Sequence, residues 1–156
     1  MDSRINLRQA TNADIAAVKA LVFSVLDEYA IPRGACSTDA DLDDIEGNYT
    51  HNNGYFTVAE EENRIIASMG VLRISEDTCE LRKMYAVPSA RGRGLGKYLL
   101  DLALVKAREL GYRRMVLETA SPLKEAIGLY KKYGFTEYQP GHISDRCDQA
   151  YELILG

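Results

Sequence analysis

Cysteine is scarce in this chain of 156 residues, which contains only Cys36, Cys79 and Cys147. An odd and sparse set of cysteines does not form a disulfide framework, and no pair has the spacing of metal ligands. The sequence therefore argues against a disulfide-rich secreted scaffold and predicts no metal site. Because sparse, reduced thiols are typical of cytosolic proteins, we expect a cytoplasmic location.

Long apolar runs are also missing. No segment approaches the roughly 20 apolar residues that span a bilayer. The N-terminal stretch, Met1 to Ile5, lacks the charged and then apolar layout of a signal peptide. We therefore expect a soluble, intracellular protein without a membrane partner.

The chain has no excess of positive charge, since its formal net charge is −4 and its pI is about 5.2. A generic nucleic-acid binder is usually basic, so this class of partner is disfavoured. The cations are instead concentrated within 82–97 and 106–132. Such local concentrations could bind a polyanionic cofactor in an otherwise acidic protein.

What the chain does have is the length of one compact domain, 1–156, with an ordinary hydrophobic content of 46%. Apolar periodicity predicts a strand, one or more helices, three strands, a helix, a strand, a helix and two strands. The predicted strands lie at 5–9, 55–59, 65–72, 79–86, 114–119, 135–138 and 147–155. The predicted helices begin near residue 13, at 95 and at 122, and a short helix is expected within 35–53.

The most specific feature is a glycine-rich turn between the strand at 79–86 and the helix at 95–110. It contains three glycines and three basic residues: Arg91, Gly92, Arg93, Gly94, Gly96 and Lys97. Glycine lets backbone N–H groups approach a ligand closely. The N-terminus of the following helix adds partial positive charge. The combination predicts a phosphate or pyrophosphate site.

Two common phosphate motifs do not fit this turn. A P-loop fails because Tyr98 stands where Ser or Thr is required and Arg91 stands where the first glycine is required. A dinucleotide-binding fingerprint fails because Lys97 occupies the place of its third glycine. The pattern that remains is Arg91-x-x-Gly94-x-Gly96.

That pattern, preceded on the strand by Met84-Tyr85-Ala86, resembles the coenzyme A pyrophosphate loop of the GCN5-related N-acetyltransferase (GNAT) family. The stretch from Ala126 to Phe135 resembles the second motif of the same family. The resemblance implies an α/β (α+β) single-domain GNAT-like fold, with a mixed central sheet of about six to seven strands and about four flanking helices. It covers nearly the whole chain in element order and is motif-specific over about 79–135.

The resemblance implies acetyl-CoA as the co-substrate, with no metal. The backbone amides of 92–97 would hold the pyrophosphate, and the backbone of 84–86 would pair with the pantetheine arm and polarise the thioester carbonyl. The implied cofactor-binding residues are Met84, Tyr85, Ala86, Arg91, Gly92, Arg93, Gly94, Leu95, Gly96 and Lys97. The alternative for 84–86 is an ordinary core strand, and the alternative for 91–97 is a turn whose cations are merely solvated. Glu80, Arg82 and Lys83 argue against a core strand, because they put charge on both of its faces.

Acetyl transfer from a thioester to an amine requires a base, an acid and close positioning, without a covalent enzyme nucleophile. By resemblance, Tyr130 matches the helix tyrosine that protonates the departing thiolate. Its alternative is a core tyrosine, and Tyr133 is the less favoured acid. Cys79 is disfavoured as a nucleophile because no histidine lies near it in the sequence.

Two glutamates match base positions of the family. Glu80 lies four residues before Met84 and is the leading candidate, and Glu118 on the next predicted strand is the second. A substrate ammonium has a pKa of about 10, so a carboxylate would need desolvation or a water relay to deprotonate it near neutral pH, and the two glutamates could share a water. The alternative for each is an ion pair with Arg82 or Lys83, or a solvated carboxylate.

Three further features bear on the cofactor and the acceptor. Leu123 stands where some members of the family carry a cofactor-contacting asparagine, which disfavours a protein N-terminus acetylase of that subgroup. The loop with His142 and Asp145 could overhang the acceptor site, or be a plain surface loop. The acidic run from Asp39 to Glu46 could attract a cationic amine, or be a solvated face.

The sequence therefore predicts an acetyl-CoA-dependent N-acetyltransferase that acts on a primary amine by direct attack in a ternary complex. Two alternatives stay open: a non-catalytic acyl-CoA-binding or regulatory module, and an acyltransferase that acts on a hydroxyl or uses a longer acyl-CoA. The acceptor is either a small molecule or a protein or peptide amine. A homodimer is among the expected states, because dimers are common in the family that the chain resembles.

Overall fold

The computed structural model describes residues 3–32, 39–144 and 146–156. These residues form seven β-strands and four α-helices, joined by turns and short 3₁₀ segments. The elements in chain order are β1 (Asn6–Gln9), α1 (Ile15–Glu28), α2 (Ile45–Asn48), β2 (Tyr55–Glu61), β3 (Arg64–Arg73), β4 (Thr78–Ala86), α3 (Leu95–Glu109), β5 (Arg114–Thr119), α4 (Lys124–Lys132), β6 (Thr136–Glu137) and β7 (Gln149–Ile154). The predicted mixed sheet and helix order are confirmed.

Several boundaries differ from the prediction by one or two residues, among them the start of the last helix and both ends of β6. The helix expected from Pro122 begins two residues later, at Lys124, because Leu123 has a ψ of 59° and is not helical. The strand expected over 135–138 shrinks to Thr136–Glu137 in β6, which lies at the sheet edge beside β7. Both elements keep their place in the chain order, and the shorter α4 still contains Tyr130.

The seven strands form one sheet in the order β1-β2-β3-β4-β5-β7-β6. All neighbouring strands are antiparallel except β4 and β5, which are parallel. The chain between β4 and β5 contains α3, as a parallel crossover requires. The glycine-rich turn therefore follows a strand near the middle of the sheet, and β4 with Glu80 lies beside β5 with Glu118.

Helices cover both faces of the sheet. On one face, Leu95, Leu99 and Ala103 of α3 belong to the same buried cluster as Met69 of β3. On the other face, Val18 and Val22 of α1 share a second buried cluster with Phe56 and Val58 of β2. The spacing of three or four residues along each helix produces these apolar stripes. Within the described ranges, no helix combines the length and apolar character needed to cross a membrane.

Candidate active site

The parallel strands β4 and β5 separate within the sheet. They pair at three positions, from Thr78 opposite Arg114 to Glu80 opposite Val116. Beyond Glu80, no further pair joins these two strands in the part of the chain that the structure describes. The separation leaves space between the two strands in which a ligand could lie along the edge of β4.

A β-bulge in β4 lies next to this opening. The register of β4 against β3 shifts between Ser68 and Gly70, and Lys83 has a φ of 56°, in the left-handed region that is rare for residues with a Cβ. The Ser68 hydroxyl donates a hydrogen bond to the Lys83 carbonyl oxygen at 2.7 Å. The bulge is therefore fixed by a buried side chain of the neighbouring strand.

The glycine-rich turn lies at the N-terminus of α3 and follows the end of β4. Gly92 and Gly94 have φ values of 74° and 78°. A Cβ built at either position would find no atom within 4 Å. The backbone there is consequently open to a ligand, and the glycines are required by conformation rather than by packing.

A groove of about 280 Å³ runs along this turn. Its lining includes residues of the turn, of β4, of α1 and of α4: Met84, Tyr85, Ala86, Arg91, Gly92, Gly94, Leu95, Gly96, Val25, Tyr29, Leu123, Glu125, Ala126 and Leu129, among others. Eight of the ten residues expected to bind the cofactor thus line one groove. Arg93 and Lys97 are the two that do not appear in this lining.

The basic side chains of the turn bind carboxylates of the chain itself. The Arg91 guanidinium donates to the Ala86 carbonyl oxygen at 2.8 and 3.0 Å, and it pairs with Glu28 of α1. Arg93 pairs with Glu61 of β2. Lys97 is exposed, and its Nζ lies 3.7 Å from Asp101. These contacts give Arg91 a structural role in joining the turn to β4.

A second cavity, of about 480 Å³, occupies the opening between β4 and β5. It shares Met84, Tyr85, Leu123 and Ala126 with the groove. Its other lining residues are Ile31, Glu80, Leu81, Arg82, Lys83, Glu118, Thr119, Ala120, Tyr130, His142, Ser144, Arg146 and Cys147. The three residues predicted to be catalytic therefore line one cavity, and that cavity adjoins the groove at the bulge.

The two glutamates approach this cavity from neighbouring strands. Burial, opposed by Arg82 and reinforced by Glu118, raises the pKa of Glu80 above its usual range. Arg82 Nε lies 3.5 Å from Glu80 Oε1, so the ion pair weighed as an alternative for Glu80 is present. Glu118 accepts a hydrogen bond from the Ser144 backbone N–H at 2.9 Å.

Tyr130 of α4 is buried, with 6% of its surface exposed, and lines the cavity. Burial and the neighbouring Tyr85 raise the pKa of Tyr130 well above its ordinary value. Its ring also packs near that of Phe135, at 5.8 Å between centroids. In contrast, the Tyr133 hydroxyl donates to Asp101 at 2.6 Å, and Tyr133 is absent from the lining of both cavities.

The interpretation of the acidic run from Asp39 to Glu46 as a solvated face holds for Asp43 and Asp44, which are exposed. Its first two acids, Asp39 and Asp41, are neither solvated nor open to an amine. Asp39 pairs with Lys83 and Arg146, and Asp41 pairs with Lys83. Tyr49 donates a hydrogen bond to Asp41 at 2.5 Å.

The other acids of this run also contact the chain. Asp43 pairs with Lys19, Asp44 caps α2 through the Gly47 N–H, and Glu46 accepts a hydrogen bond from the Asn12 N–H. Sequence reasoning missed the buried pairs of Asp39 and Asp41. The one sequence signal for them was a lysine in the middle of a central strand, at position 83.

His142 lines the cavity, whereas Asp145 lies outside the described residues, as does Cys36. Leu123 lines both cavities and offers only an apolar side chain there. Cys79 is buried in the core, and burial raises the pKa of its thiol to about 12, which does not favour a nucleophile. Among the described residues, no cluster of three or more His, Cys, Asp or Glu could hold a metal ion.

The chain is similar in sequence to known proteins. A family model described as the Acetyltransferase (GNAT) family matches residues 22–135. The protein named "Uncharacterized N-acetyltransferase YjgM" of Escherichia coli strain K12 is 36% identical over 157 residues, which span 94% of each chain. The human protein N-acetyltransferase 8B is 32% identical over 101 residues, which span 61% of this chain and 44% of its own.

Solved structures share the fold. An acetyltransferase of the GNAT family from Staphylococcus aureus Mu50 superposes with a TM-score of 0.91 at 24% identity, over 97% of this chain and 99% of its own. YncA of Salmonella typhimurium, solved with its cofactor acetyl-CoA, superposes with a TM-score of 0.76 at 21% identity, over 99% of this chain and 95% of its own.

Proposed function

Because the chain belongs to the GNAT family of acetyltransferases, we propose that it transfers the acetyl group of acetyl-CoA directly to a primary amine. One observation carries the proposal. The groove along the glycine-rich turn and the cavity with Glu80, Glu118 and Tyr130 share a wall at Met84 and Tyr85. A thioester held along that wall would place its carbonyl beside candidate acid and base groups.

The cofactor side of the proposal rests on backbone geometry. The open backbone at Gly92 and Gly94, followed by the N-terminus of the 15-residue helix α3, offers N–H groups and partial positive charge to a pyrophosphate. The separation of β4 from β5 leaves the edge of β4 from Met84 to Ala86 available to an extended pantetheine arm, as an added strand would use it.

The chemical step needs three contributions from the chain. Glu80 accepts a proton from the acceptor ammonium, directly or through water shared with Glu118, so that the amine nitrogen can attack the thioester carbon. Backbone N–H groups at the bulge stabilise the negative charge that develops on the carbonyl oxygen. Tyr130 donates its hydroxyl proton to the sulfur as the carbon–sulfur bond breaks.

We expect Tyr130→Phe to lower kcat about tenfold or more at saturating substrates, while the affinity for acetyl-CoA is retained. Burial keeps the tyrosine protonated at neutral and mildly alkaline pH, so the loss should be similar across that range. Steady-state thiol release from pH 6.5 to 9 measures it.

Tyr133→Phe is the matched control, because it removes a hydroxyl of the same segment that binds Asp101 instead of lining the cavity. This variant should keep its kcat. A Tyr130→Phe enzyme with full kcat at every pH would remove the acid role.

Direct transfer is tested by initial rates with both substrates varied. A ternary complex predicts reciprocal plots that intersect, together with no acetylated protein when acetyl-CoA is added alone. Parallel plots and a stable acetyl-protein would instead indicate a covalent intermediate and contradict the proposed mechanism.

A further inference from the structure

We call the cavity between β4 and β5 the acceptor cavity. It is lined by three cations, and all three are bound by carboxylates of the chain. Arg146 forms a bidentate ion pair with Asp39, with nitrogen–oxygen distances of 2.8 and 2.9 Å. Both side chains of this pair are 9% exposed. Bidentate pairs of this kind are strong and geometrically specific.

The other two cations are engaged in the same way. Lys83 Nζ lies 3.1 Å from Asp39 and 3.1 Å from Asp41, with its side chain 2% exposed. Arg82 lies between Asp41, at 3.9 Å, and Glu80, at 3.5 Å. Asp39 therefore forms ion pairs with both Lys83 and Arg146. Although burial raises the pKa of Asp39, the hydrogen bond and charge of Arg146 and the charge of Lys83 lower it to about 2.

The acids of the cavity are less fully neutralised than its cations. Glu118 has no ion pair among residues 3–32, 39–144 and 146–156, where its polar partner is the Ser144 N–H. Glu80 shares Arg82 with Asp41. The described charged groups at this place are four carboxylates and three cations, so the described lining and the layer behind it hold one more carboxylate than cations.

We propose that the acceptor is a cationic amine with no carboxylate beside its amino group, and that Asp39 sets this preference by holding Arg146 and Lys83. This inference rests on the proposed function. The ammonium of such an amine would bind near Glu118 and Glu80. The carboxylate of an α-amino acid would enter beside the same two acids and find each cation already paired.

Recruiting Arg146 for a substrate carboxylate has a further cost. It would break the buried pair of Arg146 with Asp39, and removing one partner of a buried ion pair is strongly unfavourable. Specificity would thus come from an unfavourable interaction with the wrong substrate as much as from attraction to the right one. The structure provides this discrimination before any acceptor binds.

The test compares acceptors that differ in one charge. Three amines, ethylamine, isobutylamine and phenethylamine, are each measured beside the amino acid that carries the extra carboxylate (alanine, valine and phenylalanine) and beside the amide of that amino acid. We expect kcat/KM for the amine and the amide to exceed that for the amino acid at least about tenfold in each series that turns over. Equal values for an amino acid and its amide would overturn the inference.

Asp39→Asn supplies the reciprocal experiment, because it frees Arg146 and removes one negative charge. In this variant, kcat/KM for the amino acids should rise relative to the amides by about tenfold. Asp43→Asn is the matched control, since Asp43 pairs with Lys19 outside the cavity and is 64% exposed. An unchanged ratio in a folded Asp39→Asn protein would contradict the role of Asp39.

Failure of the proposed function gives a different result. If none of the nine compounds is acetylated, acetyl transfer to these amines is wrong, and binding then decides the charge preference. The readout is the dissociation constant of each amide and amino acid for the CoA-loaded wild-type protein, measured by NMR titration. Tighter binding of the amides supports the inference, and equal or weaker binding overturns it, even if Asp39→Asn does not fold.

Discussion

Gly94→Asp is expected to lower the affinity for acetyl-CoA at least about 100-fold. Gly94 has a φ of 78° and precedes α3, where no atom lies within 4 Å of a Cβ position. An aspartate side chain at this point would enter the space proposed for the pyrophosphate, and the negative carboxylate would repel the negative pyrophosphate. Left-handed backbone costs a residue with a Cβ roughly 1–2 kcal/mol in addition. Isothermal titration of wild type and variant measures the change.

Gly111→Asp separates the effect of backbone strain from the effect on the pyrophosphate site. Gly111 follows α3 at the helix's other end, has a φ of 94°, and likewise has no atom within 4 Å of a Cβ position. The substitution therefore introduces similar backbone strain away from the groove. We expect Gly111→Asp to bind acetyl-CoA like wild type. Equal affinity losses in both variants would show that Gly94 acts through stability, and unchanged binding in Gly94→Asp would place the pyrophosphate elsewhere.

Glu80→Gln is expected to lower kcat about 100-fold or more while it leaves acetyl-CoA affinity within a few-fold of wild type. The amide preserves the shape of the side chain but cannot accept the proton of the acceptor. Steady-state rates at saturating amine give kcat, and calorimetry gives the affinity for the cofactor. Glu118→Gln is the comparison on the neighbouring strand, and we expect its kcat to fall less than tenfold.

The pH dependence of kcat provides a second test of the role of Glu80. The deprotonated carboxylate is the active form of the base, so kcat falls as the pH drops through its pKa. Because burial and Glu118 raise that pKa, this acid limb should lie above the ordinary glutamate value near 4.3. Glu80→Gln should lose the limb. A larger loss in Glu118→Gln, with the limb retained in Glu80→Gln, would assign the base to Glu118 instead.

The fold could be predicted from local patterns because most of its determinants are local. The stripe of Leu95, Leu99 and Ala103 predicts α3, and alternation predicts β1. The glycine-rich turn was recognisable because a left-handed backbone with open space around it can hardly be built without glycine at 92 and 94. The order of the elements then places this turn beside the opening in the sheet.

The charge network around the acceptor cavity could not be predicted in the same way. Arg146 and Asp39 are 107 positions apart in sequence, and their pairing depends on how two loops meet over β4. The acidic run reads as a solvated face because local sequence does not reveal that Asp41 is 8% exposed. The positive φ of Lys83 was equally hidden, since it arises from the bulge against β3 rather than from the preference of lysine.

The most direct test of the central claim is the product itself. Protein, acetyl-CoA and the panel of primary amines are mixed, and mass spectrometry quantifies free CoA and each N-acetylated amine. We predict equal amounts of CoA and N-acetylated product, formed at rates that Glu80→Gln and Tyr130→Phe lower. Binding of acetyl-CoA without any acetylated amine would contradict the account and favour a non-catalytic acyl-CoA-binding module. Acetylation of hydroxyl compounds alone would contradict the assignment of an amine as the acceptor.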